Sequence, residues 1–187
     1  EIIVEAAFAK IEQIREKIEA SSPLSLLDLG TGSGAIALAV KKHFPDITMT
    51  AVDLHPKTLA IAEKNAKNNN LQIEFIKSDW FSALGERRFD IILSNPPYID
   101  PIDPHLTGDG VKFEPTRALI ADQKGLADLY HIIEIAPRYF KGGGWLLLEH
   151  GYDQKSALQE KMLNIGYRHI ETLKDYGGND RVTLEIG

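Results

Sequence analysis

The stretch LSLLDLGTGSGAIALAV, residues 24–40, decides how the rest of this 187-residue chain is read. Residues 24–29 form a short, nearly all-apolar run stopped by glycine, the pattern of a strand buried on both faces. Residues 34–43 are rich in Ala, Ile and Leu and read as a helix, with Pro45 just past its end. Between them lies the turn Asp28-Leu29-Gly30-Thr31-Gly32-Ser33-Gly34. Glycines let such a turn close tightly and approach a ligand, and the helix N-terminus beyond it offers N–H groups to an anion.

Working outward, residues 48–52 make a second strand that ends at Asp53. That acid stands about twenty residues beyond the turn, where a carboxylate can accept both hydroxyls of a ribose. Upstream, Ile3, Val4, Ala7, Phe8, Ile11, Ile14 and Ile18 recur at three- and four-residue spacing and predict an amphipathic helix. Downstream, His55-Pro56 opens a helix over residues 57–69, a third strand spans 72–77, and Ser78-Asp79-Trp80-Phe81 follows it. A fourth strand, 89–93, leads into a long aperiodic stretch over 99–125, of a length that is usually functional. A helix over 126–140, its last turn distorted by Pro137, is then broken by Lys141-Gly142-Gly143-Gly144, and a fifth strand covers 145–149. A helix over 153–165 stops at Gly166, and two final strands cover 167–173 and 181–186.

Strands alternating with helices argue for one α/β domain with a doubly wound parallel sheet. The last two strands have no helix between them and should pair antiparallel at one edge. Composition agrees with a globular domain: 43% hydrophobic and 26% charged residues, and no apolar run near the ~20 residues a membrane span needs. The net charge of −6 weighs against duplex nucleic acid as the main partner, which would call for a basic field. Cysteine is absent, so no disulfide or thiolate metal site is expected, and a reducing, cytoplasmic setting is permitted. The six histidines lack ligand spacing, and no metal is expected. The chain opens at Glu1 inside a helical pattern, as a piece cut from a longer polypeptide would.

A second motif follows the fourth strand: Ser94-Asn95-Pro96-Pro97-Tyr98-Ile99-Asp100. Paired prolines fix φ and remove backbone donors, so this segment is rigid and cannot continue the strand. It presents a carboxamide, a carbonyl of fixed direction and an aromatic ring.

A dinucleotide site wants G-x-G-x-x-G. The pattern here is G-x-G-x-G preceded by an acid, and it resembles the first motif of class I S-adenosylmethionine-dependent methyltransferases. That resemblance implies a mostly parallel seven-stranded sheet with an antiparallel edge hairpin. It also implies S-adenosylmethionine as cofactor, contacted by Gly30, Thr31, Gly32, Ser33, Gly34, Asp53, Asp79, Trp80 and Asn95. Asp79 and Trp80 would flank the adenine, while Phe81 goes to packing. In these enzymes N-P-P-Y marks methylation of a planar nitrogen. Such a nitrogen has its lone pair delocalised, and acceptors aimed at its N–H bonds would hold it and stabilise the charge that grows on it. Asn95 and Pro96 would supply those acceptors, Tyr98 would lay its ring on the planar group, and Pro97 would stiffen the slot. Asn95, Pro96 and Tyr98 are the candidate catalytic residues; with Pro97 they are the candidate substrate contacts.

Taken together, residues 27–39, 78–84 and 94–100, with Phe113-Glu114-Pro115, Leu147-Leu148-Glu149-His150-Gly151, Asp175-Tyr176-Gly177 and Arg181-Val182, resemble the peptide chain release factor N5-glutamine methyltransferases, the HemK/PrmC family. The resemblance implies methyl transfer to the glutamine of the Gly-Gly-Gln motif of class 1 release factors. The family's small N-terminal helical docking domain is not part of this chain, so residues 1–187 are expected to be the catalytic domain, acting as a monomer. Two related readings use the same motif: a methyltransferase of exocyclic amines (N6-adenine or guanine) in nucleic acid, and a ribosomal-protein glutamine methyltransferase. A glycine-loop protein that binds the cofactor without catalysis is a third. The long stretch carries Asp100, Asp103, Asp109 and Glu114 against Lys112 and Arg117, which favours a protein substrate.

Overall fold

The structure, a computed structural model, describes residues 2–17, 23–96 and 126–186. In chain order these form α1 (Ile2–Lys17), β1 (Ser25–Leu29), α2 (Ala35–His43), β2 (Thr48–Asp53), α3 (Pro56–Asn68), β3 (Glu74–Lys77) and β4 (Phe89–Ser94). They continue with α4 (Ala127–Ile135), a 3-10 turn (Ala136–Tyr139), β5 (Phe140–Glu149), α5 (Lys155–Ile165), β6 (Arg168–Lys174) and β7 (Asp180–Ile186).

The described strands make one sheet in the order β3-β2-β1-β4-β5-β7-β6. The first five run parallel, while β7 is antiparallel to β5 and β6 to β7. The antiparallel edge hairpin read from the sequence is borne out. Strand order reverses at β1, whose neighbours are β2 and β4, and ligands of open α/β sheets bind at such a point outside the carboxyl ends.

Period-two alternation divides the core between the two faces. On one face Ile3, Ala7 and Ile11 of α1 and Ala37 and Val40 of α2 bury against Leu26, Met49, Ala51, Ile91, Leu93 and Leu147. On the other, Leu129, Ile132 and Ile133 of α4 and Leu158 and Met162 of α5 cover Leu27, Leu29, Val52, Ile92, Leu146 and Leu148. β1, β4 and the end of β5 are therefore buried on both sides, which is why their sequences are continuous apolar runs. Phe81 packs as expected, stacked on Tyr139 with centroids 4.7 Å apart. No helix among the described residues is long and apolar enough to cross a membrane.

One segment differs from the sequence reading. The helix that should reach residue 140 stops at Ile135, and β5 starts at Phe140 rather than Trp145. Pro137 explains the first difference, since it has no N–H to give the carbonyl of Ile133. The buried Tyr167 hydroxyl donates to that carbonyl instead, at 2.8 Å. A bulge explains the second. Pairing passes from Phe89↔Phe140 to Ile91↔Trp145, so the glycine run stays in the strand as surplus length instead of ending it.

Candidate cofactor and acceptor site

The turn after β1 is held from below by Asp28. This residue shares the face of Leu26 and lies under α2, fully buried. Its Oδ2 accepts from Thr31 Oγ1 at 2.7 Å and from the Ala37 N–H at 3.2 Å, so one carboxylate joins the turn to the first turn of α2. Its Oδ1 is buried with no partner among the described residues. Burial pushes the Asp28 carboxyl up to about 7, against the pull of the Thr31 and Ala37 hydrogen bonds, and the nearby charge of Asp53 adds to the rise.

Gly30, Gly32 and Gly34 take φ of 67°, 58° and 85°, the left-handed region that glycine enters freely. At Gly30 the constraint is also steric, because an added Cβ would come to 3.3 Å from Cζ3 of the Trp80 ring. At Gly32 an added Cβ would meet nothing within 4 Å, so the middle of the turn faces open space where a ligand can lie against the backbone.

Asp53 closes β2 beside this turn and is 8% exposed. Its Oδ2 accepts the Gly32 N–H at 3.0 Å and its Oδ1 the His55 N–H at 2.8 Å. Each oxygen has a second lone pair, so both can still accept a hydroxyl. The Thr31 N–H donates to Val52 O at 2.9 Å and the Ser78 N–H to Asp53 O at 3.0 Å, tying the ends of β1, β2 and β3 into one ledge.

After β3, Ser78 organises a tight turn: its Oγ donates to Trp80 O at 2.7 Å and accepts from the Ala83 N–H at 3.0 Å. Trp80 takes a positive φ of 45° and is half-buried, with its ring against Gly30, whereas Asp79 is exposed. The Asp79 N–H already donates to Ser82 Oγ at 3.2 Å, which leaves its side chain as the group that can reach a ligand.

β4 ends beside β1, and the buried Ser94 hydroxyl donates to Leu29 O at 2.8 Å. That bond joins the ends of β4 and β1, and the register places the next residue, Asn95, beside the start of the glycine turn. Asn95 is exposed and Pro96 buried. Pro97, Tyr98, Phe113-Glu114-Pro115 and the stretch 99–125 lie outside the described residues. The structure therefore brings Gly30 to Gly34, Asp53, Asp79, Trp80, Asn95 and Pro96 to one edge of the sheet, at the ends of four adjacent strands. Ser94 was missed by sequence reasoning, because a serine one residue before a motif carries no signal until β1 and β4 are known to be neighbours. Among the described residues no cluster of three or more His, Asp or Glu could hold a metal.

Sheet order, glycine turn and strand-end acid define a class I S-adenosylmethionine-dependent methyltransferase fold. The family model for the methyltransferase small domain matches residues 11–107, and the chain belongs to that family. Among curated proteins it is 45% identical over 185 residues to the release factor glutamine methyltransferase of Escherichia coli, covering 98% of this chain and 64% of that protein. It is 51% identical over 159 residues to the protein of the same name from Salmonella typhimurium, covering 84% of this chain and 57% of that one. The chain thus spans less than two thirds of the length of these relatives. Among solved structures, a Pyrococcus furiosus methyltransferase superposes with a TM-score of 0.67 at 20% identity, covering 98% of this chain and 81% of that one. A Thermus thermophilus 16S rRNA methyltransferase, solved with AdoMet and guanosine, superposes with a TM-score of 0.62 at 23% identity, covering 95% and 42%. At these identities the two structures speak for the fold alone.

Proposed function

We propose that this chain is the methyltransferase domain of a release factor glutamine methyltransferase, transferring a methyl group to the side-chain nitrogen of the glutamine in a Gly-Gly-Gln motif. The observation that carries the reading is the place of Asn95-Pro96. In a chain 45% identical to the Escherichia coli enzyme, the pair sits at the end of β4, tied through Ser94 to the glycine turn.

S-adenosylmethionine, when bound, supplies a methyl group on a sulfonium centre. The residues present fit it: Gly32 leaves space, Asp53 keeps a free lone pair on each oxygen, and Trp80 offers a ring beside Gly30. Gly30 to Gly34 would receive its amino-acid end, Asp53 the ribose and Asp79 with Trp80 the adenine. No metal enters this reading.

On the acceptor side the work belongs to this chain. A carboxamide nitrogen is a poor nucleophile because its lone pair is shared with the carbonyl. Asn95 Oδ1 and the Pro96 carbonyl would accept its two N–H bonds, turn the lone pair toward the methyl group and stabilise the positive charge that develops. Pro96 is buried and precedes a second proline, which restricts the direction of its carbonyl, and Asn95 follows directly on the end of β4. Tyr98 would cover the amide plane. No base is required before transfer, since the cationic product loses its proton to water readily. The reading takes the enzyme as cytoplasmic and monomeric, with release factor as its protein partner.

The test is transfer of label from tritiated S-adenosylmethionine to purified release factor and to an oligonucleotide. Label on release factor alone is expected. Label on the oligonucleotide alone would move the assignment to an exocyclic amine of nucleic acid.

A further inference from the structure

The stretch Leu147-Leu148-Glu149-His150-Gly151 at the end of β5 adjoins the proposed acceptor slot. Ser94 pairs with Leu148 in the parallel β4–β5 ladder, so Glu149 is the register neighbour of Asn95, and His150 follows it. His150 is wholly buried, as is Thr183 of β7. Its Nδ1 lies 2.7 Å from Gly151 O and its Nε2 2.9 Å from Thr183 Oγ1. Thr183 Oγ1 lies 2.9 Å from Thr172 Oγ1 of β6, which accepts from Gln159 Nε2 of α5 at 3.1 Å.

The proton positions along this chain follow from its ends. A carbonyl only accepts, so the Gly151 contact requires Nδ1–H. In a neutral ring Nε2 is then bare and must accept from the Thr183 hydroxyl. Thr183 has spent its proton, so Thr172 donates to it, and Gln159 in turn donates to Thr172. Every bond points the same way, from α5 through β6 and β7 to the end of β5. The ring is held neutral chiefly by burial, which lowers its pKa below the usual 6.5; Arg181 and Lys155 push the same way, while the Gly151 carbonyl and Asp180 oppose. A second tie runs beside the first. Arg181 Nη1 donates to His150 O at 3.2 Å while its Nε and Nη2 hold Asp175 Oδ2 at 3.2 and 3.1 Å, and the His150 N–H donates to Arg181 O at 2.9 Å. Apolar side chains could fill the same space without desolvating hydroxyls and an imidazole. What a one-way polar chain adds is direction.

We propose that His150 is a positioning residue for methyl transfer: through Thr183, Thr172 and Gln159 it locks the end of β5 to the β6–β7 hairpin and so fixes the strand against which Asn95 presents its carboxamide. Ser94 does the matching work on the other flank, joining β4 to Leu29 O. The proposal rests on the functional reading above for its kinetic consequence but not for its structural one.

Two measurements test it. Nitrogen-15 NMR of the wild-type chain at neutral pH should show His150 protonated on Nδ1 and bare on Nε2; the reverse tautomer overturns the hydrogen-bond chain. Thr183→Val should then shift the Asn95 and Glu149 backbone amide resonances and leave Gly30 to Gly34 in place. In the label-transfer assay it should lower kcat about tenfold, the scale of a small misplacement of a reacting group, with KM for S-adenosylmethionine within twofold. Thr183→Ser, which keeps the hydroxyl, should restore both. Should Thr183→Val fail to fold, Thr172→Val removes the next link and should move the same resonances by less. Unmoved Asn95 signals together with kcat within twofold of wild type overturn the proposal. A wild-type chain that labels no release factor would overturn the functional reading, and the NMR arm would still decide the role of His150.

Discussion

On the β1–β2 side of the carboxyl edge, carboxylates hold the backbone: Asp28 takes the Thr31 hydroxyl and the Ala37 N–H, and Asp53 takes the N–H groups of Gly32 and His55. On the β4–β5–β7 side most ties are neutral, the Ser94 hydroxyl on Leu29 O and the His150–Thr183–Thr172 chain, with Arg181, paired to Asp175, on His150 O as the charged exception. The difference follows what each side must meet. Proposed contacts on the first side are a ribose and an amino-acid group, which a strand-end carboxylate can bind directly. On the second side the proposed contact is an acceptor nitrogen on which charge would appear only during reaction. There, neutral oxygens fixed in direction serve better than a fixed negative charge, which would favour a cationic ligand in the ground state as much as in the transition state.

This contrast can be broken most strongly at Asn95. Asn95→Ala should lower the transfer rate by about 10²–10³, the scale of losing one preorganised polar contact at a developing charge, while calorimetry finds cofactor affinity little changed. A rate within threefold of wild type would remove Asn95 from the acceptor side.

Glu185 sharpens the comparison, because it is a carboxylate on the neutral side. It lies in β7, fully buried, and neither oxygen has a partner among the described residues. Burial pushes it up to about 8, against a smaller opposing pull from the Arg168 backbone. An unfolded glutamate gives up its proton near 4.5. Between those values the unfolded chain releases a proton that the folded one keeps, so stability should fall as pH rises from 4.5 to 8 and level off above. Glu185→Gln should remove this slope, matching wild type at pH 4 and exceeding it by several kcal/mol at pH 9 in denaturant unfolding. Parallel curves for the two proteins would mean that Glu185 is charged or paired in the folded state.

On the carboxylate side, Asp53→Ala should weaken S-adenosylmethionine binding by about 1.5–3 kcal/mol, the worth of charge-assisted hydrogen bonds. Some of that loss comes through Gly32, whose N–H would lose its acceptor. Unchanged affinity in a folded variant would take Asp53 out of the site. The smallest effect belongs away from this edge. Arg87 holds Glu74 at 2.7 and 3.0 Å on the outer strand β3, both groups are largely exposed, and Arg87→Ala should cost under about 1 kcal/mol of stability without touching transfer.

The two sides also differed in how much of them could be read from the sequence. The glycine turn and Asp53 fall within a single βαβ unit, where spacing alone sets geometry, and both were legible; Asp28 showed only as the acid before the motif, not as the group that ties Thr31 to Ala37. Asn95-Pro96 was legible because proline rigidity is a local property. The positioning chain draws on Ser94, His150, Gln159, Thr172 and Thr183, which meet only once β4, β5, β7 and β6 lie side by side; no local pattern links a threonine at 172 to one at 183. The early end of α4 shows the same limit in reverse. Pro137 was visible, but the hydroxyl that takes up the carbonyl it leaves, Tyr167, lies 34 residues from Ile133.

The claim that joins both sides is that Asn95 and Pro96 hold a primary carboxamide beside the cofactor turn. Its most direct test is mass spectrometry of intact release factor after incubation with this chain and S-adenosylmethionine. The account predicts a single added methyl on the glutamine of the Gly-Gly-Gln peptide, lost when that glutamine is replaced and reduced to trace levels with Asn95→Ala. Methyl groups on other residues, or undiminished modification by Asn95→Ala, would contradict it.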